Sequence, residues 1–278
     1  PTSLSGTAEN KLVVVVDETL GVLDSGAILT PTGTLTTEAG TILCTEGSSD
    51  LLVDTGAVPA TCFLTGRSED VYGIASTGIT AMNLTTGVAN ALAATAGALP
   101  TGVTVGCIYR DRLVVGGGDN AIYMSRQGNH GDWDFGAEAG DSGRAVAFQL
   151  SEAGEKGEKC TALIPFRDQT LLAATARGLW VIKGDPAAKG SLENVSRVTG
   201  VLSNKAWCLV EDARVNRSFV RYAVVFFSSQ GLQICGPDGS GLDSLSDETL
   251  PQEFVGIDAS AAVQLIYAPD EHGVYIFR

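Results

Sequence analysis

Histidine is scarce in this sequence, and its cysteines do not form the close pairs that bind zinc. There are only two histidines among 278 residues, His130 and His272, and none of the six cysteines belongs to a C-x-x-C pair. A Cys/His zinc site is therefore not expected. Most cysteines have strand-like apolar neighbours, which favours buried free thiols over three disulfides, and assembly in a reducing compartment. The six are Cys44, Cys62, Cys107, Cys160, Cys208 and Cys235.

Positive charge and long apolar runs are scarce as well. The chain has 18 Lys and Arg against 32 Asp and Glu, which gives a net charge of −14. It thus lacks the basic surface by which proteins hold nucleic-acid phosphates, and the simplest role of its acidity is solubility. No run approaches ~18 consecutive apolar residues, so no membrane span is expected. Residues 1–10 are polar and lack the basic start of a signal peptide.

The sequence is instead rich in glycine and strand-forming residues. It has 34 glycines, and charged residues make up only 18%. This composition is typical of many short strands joined by glycine turns, and not of a disordered chain or of long helices. We therefore predict an all-β fold. Residues 85–105 are rich in Ala, Thr and Gly, and we interpret them as a connector between sheets, with a short helix over residues 89–98 as the alternative.

The stretch that organises the chain is residues 107–136. We interpret residues 107–115 as a first strand and residues 121–125 as a second one. Residues 116–120 lie between them and read Gly-Gly-Gly-Asp-Asn. They supply the positive φ angles of a hairpin turn. A polar loop follows and closes on Trp133.

This unit recurs along the chain. Residues 107–125 read as strand, Arg-Asp turn, apolar strand, glycine turn and aromatic strand, and residues 163–183 repeat that layout. Residues 220–235 share its second half, an apolar strand, a glycine-containing turn and a further strand. The spacing of roughly 45 to 60 residues is that of a four-stranded propeller blade, and blades that stack on both faces explain strands that are apolar on both sides. We predict one β-propeller-like domain over residues 1–278, an array of antiparallel four-stranded meanders with a looser part over residues 1–105. A β-sandwich is the alternative, but it gives no reason for the repeat.

Three glycine-rich or acidic motifs contain residue types that could bind a ligand or catalyse a reaction. The run 116–118 lacks the lysine and the helix of a phosphate loop, so a hairpin is favoured. Asp132 and Asp134 flank Trp133 as carboxylates of a glycosidase or calcium site do, but we favour a tryptophan that fills the seam between blades while both aspartates face water. Asp238 and Asp243 lie in a glycine-rich loop whose spacing is not that of an EF-hand, so we predict a turn.

No catalytic set is predicted. No Ser/His/Asp or Cys/His combination stands out, and His130 is expected to be a solvated loop side chain. We therefore predict no catalytic, cofactor-binding or metal-binding residues, no cofactor and no enzymatic activity. The chain ends within a predicted strand, residues 274–277, so we expect that strand to pair with an earlier segment or the chain to be part of a longer product.

Several motifs resemble a family of tailed-phage tail proteins. Residues 112–117 (RLVVGG), 122–125 (IYMS) and 128–135 (GNHGDWDF) are similar to the nozzle class of short-tailed phages, also called tail tubular protein B. Residues 166–185 look like the next blade of those proteins, and residues 198–203 like the segment that links it onward. The resemblance covers roughly residues 105–235.

The resemblance implies a structural component of the phage virion tail, assembled in the host cytoplasm. It implies a ring oligomer, a hexamer, that docks an adaptor and tail fibre or tailspike proteins and conducts DNA through its lumen without specific binding. An acidic lumen would repel phosphates, which gives the charge of −14 a use. The alternative is a β-propeller binding module that recognises a glycan or a host surface protein. A propeller hydrolase using Asp132 or Asp134 is a further competitor.

Overall fold

The protein is all-β throughout the part of the chain that the structure describes. The computed structural model describes residues 12–16, 19–23, 52–57, 63–67, 70–86, 88–137, 140–151, 157–215, 218–246, 263–269 and 273–277. Within these ranges no helix is long and apolar enough to cross a membrane. The chain divides into two compact units, residues 1–92 and residues 93–278.

The first unit contains a three-stranded and a four-stranded antiparallel sheet. The three-stranded sheet consists of β1 (Leu12–Val16), β2 (Thr19–Leu23) and β3 (Leu52–Ala57). The four-stranded sheet consists of β4 (Phe63–Arg67), β5 (Asp70–Ala75), β6 (Gly78–Asn83) and β7 (Ala89–Ala91). The apolar segments of residues 70–74 and 78–82 predict a pair of strands across residues 76–77, and β5 and β6 form that pair. Residues 27–29 and 41–44 are predicted to be strands as well, and they lie outside the described residues.

The second unit contains three four-stranded antiparallel sheets, which we call blades A, B and C. Blade A consists of β9 (Val105–Tyr109), β10 (Arg112–Gly116), β11 (Ala121–Met124) and β13 (Val146–Gln149). Blade B consists of β14 (Ala162–Phe166), β15 (Thr170–Ala174), β16 (Leu179–Asp185) and β17 (Ala188–Ser196). Blade C consists of β18 (Trp207–Val215), β19 (Ser218–Ser228), β20 (Gly231–Cys235) and β21 (Asp243–Ser244).

Two smaller pairs of strands complete this unit. β8 (Ala96–Gly97) and β12 (Asp132–Trp133) form a short parallel pair, and β22 (Gln264–Ala268) and β23 (Gly273–Phe277) form the predicted final hairpin. The alternative helix over residues 89–98 is wrong, because β7 and β8 lie within that range. The sequence also predicts one helical turn after Asp247, and that segment lies outside the described residues.

A tight turn divides the strand predicted over residues 107–115. β9 ends at Tyr109 and β10 begins at Arg112, and these two residues pair directly across the turn. Arg110 and Asp111 adopt φ angles of +50° and +58°, which non-glycine residues seldom adopt. The Arg-Asp turn that the repeat predicts is therefore correct, and the single strand is wrong.

The blades stack face to face, with their apolar side chains in two clusters. β9 lies against β14, and β18 lies against β22, so the first strands of successive sheets are neighbours. One cluster draws on blades A and B, the other on blades B and C with β22. Alternate residues of β16 supply the two clusters: Trp180 and Ile182 face blade A, whereas Leu179 and Val181 face blade C. Burial on both faces, as the repeat predicts, explains why these strands are apolar throughout.

Hydrogen bonds between polar turns also connect neighbouring blades. The Tyr109 hydroxyl donates to the carbonyl oxygens of Gln169 (3.2 Å) and Gly184 (3.3 Å) in blade B. The Arg110 backbone N–H donates to Asp168 Oδ1 over 2.9 Å. The strained Arg-Asp turn of blade A is thus held by the matching turn of blade B.

Candidate functional site

The feature that organises residues 107–136 is a buried arginine, which sequence reasoning missed. The Arg112 side chain is 0% exposed as part of a fully buried strand. Its Nη1 donates to the carbonyl oxygens of Ser125, Gly143 and Arg144, and its Nη2 donates to that of Ser142. A guanidinium has a fixed fork of N–H donors, so one side chain can hold carbonyls from both ends of a loop.

The loop that Arg112 closes runs from residue 126 to residue 145 and is called the anchored loop below. Burial lowers the pKa of Arg112, and Asp185, whose Oδ1 lies 3.9 Å from Nη2, opposes that shift. Ser125, just before the anchored loop, is also bound to β10 through its side chain, because its Oγ accepts a hydrogen bond from the Leu113 N–H over 2.9 Å. The Arg of the RLV motif and the Ser of the YxS motif therefore have one structural role, which is to hold the anchored loop on the blade.

The Asp-Trp-Asp motif is built into this loop as structure. Trp133 is 1% exposed, and β12, which contains it, pairs with β8. Asp132 Oδ1 accepts the Asp134 N–H over 3.0 Å, and Asp134 Oδ1 accepts the Gly136 N–H over 2.9 Å. Each carboxylate thus stabilises its own backbone turn. The predicted burial of the tryptophan is confirmed, and Asp134 faces water, whereas Asp132 is partly buried.

The charged neighbours of the motif form a network centred on Arg126. Arg126 lies between two carboxylates, with Nη2 2.6 Å from Asp141 Oδ2 and Nε 4.0 Å from Asp132 Oδ2. The Gly143 backbone N–H, followed by Arg126, lowers the pKa of Asp141. Across the ranges that the structure describes, no group of three His, Cys, Asp or Glu could hold a metal ion.

His130 is not the solvated side chain that the sequence predicts. Its side chain is only 12% exposed, and its Nε2 lies 3.8 Å from Asp111 Oδ1. The anchored loop thus folds back on the Arg-Asp turn of its own blade, which is a tertiary arrangement that a sequence pattern does not show.

The glycine run 116–118 is a hairpin connection, as predicted, but for a different reason. Of residues 116–120 only Gly117 has a positive φ, at +96°. An added Cβ at Gly117 would overlap Thr104 Oγ1, and one at Gly118 would overlap the Thr101 carbonyl oxygen. These glycines are therefore required mainly because the preceding loop packs directly on their backbone.

The loop of Asp238 and Asp243 is the predicted turn. Asp238 Oδ1 accepts hydrogen bonds from the Ser240 N–H (3.1 Å) and the Ser240 hydroxyl (2.6 Å). The Ser240 hydroxyl is the main reason that the pKa of Asp238 is lowered. Asp243 begins β21 and is exposed. Asp238 therefore stabilises the turn, whereas Asp243 belongs to the strand that follows it.

The cysteines within the described ranges are buried free thiols, as predicted. Burial raises the pKa of Cys160 and of Cys235 to about 12 and that of Cys208 to about 11, and it raises the pKa of Cys107 further still. All four are free and buried, so they pack as small hydrophobes. Cys44 and Cys62 lie outside the described residues.

A shallow cleft of about 480 Å³ lies where blades A and B meet at one edge. Trp180 is one of the residues that line it. An added Cβ at Gly178 would overlap the indole, so this glycine permits the ring to lie over the backbone. On the rim, Arg177 Nε donates to Glu158 Oε1 over 2.6 Å, and Thr175 Oγ1 donates to Glu158 Oε2 over 3.1 Å. The turn at Arg177 and Gly178 thus contributes hydrogen-bonded polar groups to the cleft.

Solved structures that resemble this chain define its class. No protein-family model matches the chain, and no curated protein matches its sequence. The extracellular domain of BT4673 from B. thetaiotaomicron matches 96% of this chain at 12% identity and a TM-score of 0.55, and the match covers 30% of that structure. A second structure of that extracellular domain matches 98% of this chain at 10% identity and a TM-score of 0.54, over 37% of its own length.

A third neighbour comes from another protein. AztD of Citrobacter koseri matches 98% of this chain at 12% identity and a TM-score of 0.51, and the match covers 66% of that structure. The chain thus spans less than two thirds of each of these proteins. At such identities the likeness shows the fold alone, and that fold is the β-propeller type. The predicted fold class is therefore confirmed.

Proposed function

We propose that this chain is a β-propeller interaction module that acts through its surfaces, as a structural component of a phage virion tail. In this proposal it assembles with copies of itself into a ring, docks neighbouring tail proteins and lets DNA pass through the lumen. The general proposal, that the chain is a propeller that binds partners, rests on the fold and on the structural use of the motif residues in the anchored loop. The phage tail rests on the resemblance of residues 107–136 and 166–185.

The observation that carries the proposal is the use of the motif residues. Arg112, Ser125 and Trp133, which lie in the motifs of that resemblance, are all buried, and Asp132 and Asp134 are engaged by backbone N–H groups. Residue types that could perform chemistry here serve to hold a loop on a blade. Such an arrangement supports an architectural role, since a general acid must be free to reach a substrate.

A glycan- or protein-recognising propeller is the second candidate function. It is favoured by the neighbour BT4673, whose matching region is an extracellular domain described as part of a one-component system. The cleft lined by Trp180, Arg177 and Glu158 is where such a ligand would contact blades A and B. Ligand pockets commonly combine aromatic side chains with a few fixed polar groups.

Electron microscopy of the purified chain and of virions from its source distinguishes the two. The virion proposal expects a ring of copies at the tail and peptides of this chain in purified particles. Absence of the chain from purified virions would refute it. A glycan array probed with the chain, with Arg177→Ala as the variant and Lys205→Ala as the control, tests the second candidate, which expects binding that only Arg177→Ala abolishes.

A further inference from the structure

The cleft between blades A and B is lined by several separate segments of the chain. Residues 150–151 follow β13, residues 175–178 connect β15 to β16, and residues 194–198 end β17 and continue beyond it; each of these segments contributes to the lining. The volume of the cleft, about 480 Å³, lies within the range of sites that bind small ligands. Its walls therefore offer side chains from different directions to one ligand.

A β-bulge in β17 directs one polar side chain toward this cleft. Trp180 pairs with Asn194 and Leu179 pairs with Ser196, so Val195 is the extra residue of the bulge. Residues that pair across neighbouring strands share one face of the sheet, which places Asn194 beside Trp180 on the face toward blade A. Val195 packs against the apolar cluster on the opposite face. Bulges commonly re-aim side chains in this way next to functional sites.

The polar groups of the cleft are mainly hydrogen-bond donors. Among the described residues that line it, Glu158 is the one carboxylate, and its oxygens already accept hydrogen bonds from Arg177 and Thr175. The Arg177 side chain is 75% exposed, and its contacts with Glu158 use Nε and Nη2, which leaves Nη1 to a ligand. Ser151 Oγ accepts a hydrogen bond from Asn120 over 3.2 Å, so its own hydroxyl proton can be donated.

A second arginine and an exposed apolar side chain complete the lining. Arg197 is exposed, and Val198 is 65% exposed. Ser196 Oγ accepts the backbone N–H groups of Val198 (3.3 Å) and Thr199 (3.0 Å), which fixes the backbone that carries both lining residues. Guanidinium groups bind carboxylates through paired N–H donors, whereas Val198 and Trp180 offer apolar surface to the rest of a ligand.

We propose that this cleft binds an acidic saccharide. Arg177 and Arg197 would hold the carboxylate of a uronic or sialic acid unit, and Asn194 and Ser151 would bind hydroxyl groups of the ring. Side-chain donors from several segments suit a compact ring that carries polar groups on several sides, whereas an extended peptide is typically bound through backbone hydrogen bonds along a strand edge. This inference deepens the second candidate function, the glycan-recognising propeller, and rests on it.

The test uses oligosaccharides that contain glucuronic, galacturonic or sialic acid, each beside its carboxyl-reduced counterpart. Titration calorimetry should show binding of an acidic probe and at least about tenfold weaker binding of its reduced form. Arg177→Ala and Arg197→Ala should each weaken binding roughly tenfold to a hundredfold, and Arg177→Lys should recover part of the loss. Arg126→Ala is the matched control, because it also removes a partly exposed arginine from an ion pair, the one with Asp141, and it should bind like the wild type.

The outcomes separate this inference from the functions on which it builds. Equal binding of the reduced probes would overturn the acidic class of ligand and leave the second candidate function standing, whereas absence of binding to every saccharide would overturn both. Acidic binding that Arg177→Ala and Arg197→Ala leave unchanged would also overturn the inference, and so would a glutamate-rich peptide that binds through these arginines where no saccharide does. Circular dichroism shows whether each variant is folded, and Asn194→Ala replaces any that is not. Microscopy of virions tests the tail proposal independently of these results.

Discussion

Replacement of Arg112 by alanine should strongly destabilise the second unit. The substitution removes a buried guanidinium that donates to four backbone carbonyl groups, those of Ser125, Ser142, Gly143 and Arg144. The carbonyl of Ser125 would lose its donor in a buried position, and those of Ser142 and Arg144 would lose theirs in partly buried positions. The carbonyl of Gly143 keeps the hydrogen bond from the Gln127 N–H, and a cavity would remain beneath the anchored loop.

The expected magnitude follows from the hydrogen bonds that are lost and from how deeply each one is buried. A hydrogen bond from a charged group contributes about 1.5–3 kcal/mol, and a buried polar group without a partner costs about 1–3 kcal/mol. The four contacts share one side chain and relax together, so a loss of about 4 kcal/mol of unfolding free energy is expected, within the range of large single-site effects. For a unit of this size that corresponds to a fall of roughly 8–16 °C in melting temperature.

Urea denaturation and hydrogen exchange measure the two consequences separately. Arg112→Ala should lower the urea midpoint and increase amide exchange over residues 126–145. Arg112→Lys should recover only part of the loss, because an ammonium lacks the planar fork. Arg126→Ala is the control, since that side chain is 38% exposed and its removal should cost under about 1 kcal/mol. A stability of Arg112→Ala within about 1 kcal/mol of the wild type would contradict this account of the anchored loop.

Three further predictions concern single sites. Gly178→Ala should displace the Trp180 indole, lower stability by about 1–3 kcal/mol and shift tryptophan fluorescence, whereas Gly140→Ala, which has open space at its Cβ, should do neither. Cys107, Cys160 and Cys235 should resist a thiol reagent at pH 8 until the protein unfolds, because burial raises their pKa. Peptide mapping after labelling measures this resistance. Rapid modification of the native protein would show that the thiols are accessible. The pKa of Asp141 is lowered in the folded protein, so its contribution is present at neutral pH and lost as the pH falls through that lowered pKa. Asp141→Asn should accordingly flatten the decline in stability under acid titration, and an unchanged titration curve would contradict the assigned hydrogen bonds.

The sequence by itself determined the architecture of the second unit. Short apolar segments, polar turns and a spacing of roughly 45 to 60 residues predicted stacked four-stranded meanders. The pattern was sufficient because strands buried on both faces are almost entirely apolar, as residues 113–116 of β10 and 171–174 of β15 show, and because the repeat placed an Arg-Asp turn in both blades A and B. It was insufficient at residues 107–115, where the assignment of one continuous strand ran through the turn at Arg110 and Asp111 that the repeat itself indicated.

The tertiary structure alone decided what the polar residues of the motifs do. Arg112 and Val114 lie on the same face of β10, so the RLV pattern places Arg112 toward the interior. The pattern does not show which carbonyls the guanidinium contacts. Those carbonyls come from residues 125 and 142–144, which approach one another only once the anchored loop has closed. His130 and Asp111 are brought together by the same closure.

Asp132 and Asp134 show the same division between local and distant information. Their spacing on the chain is compatible with an acid pair, a calcium site or a turn, and the sequence leaves these alternatives open. Their carboxylates accept hydrogen bonds from backbone N–H groups two residues further along the chain. The burial of Trp133, which lies between them in the sequence, depends on the blade as a whole. Sequence patterns report periodicity and local turn chemistry. Which side chain closes which loop depends on contacts between segments far apart in the chain, and these exist only in the folded protein.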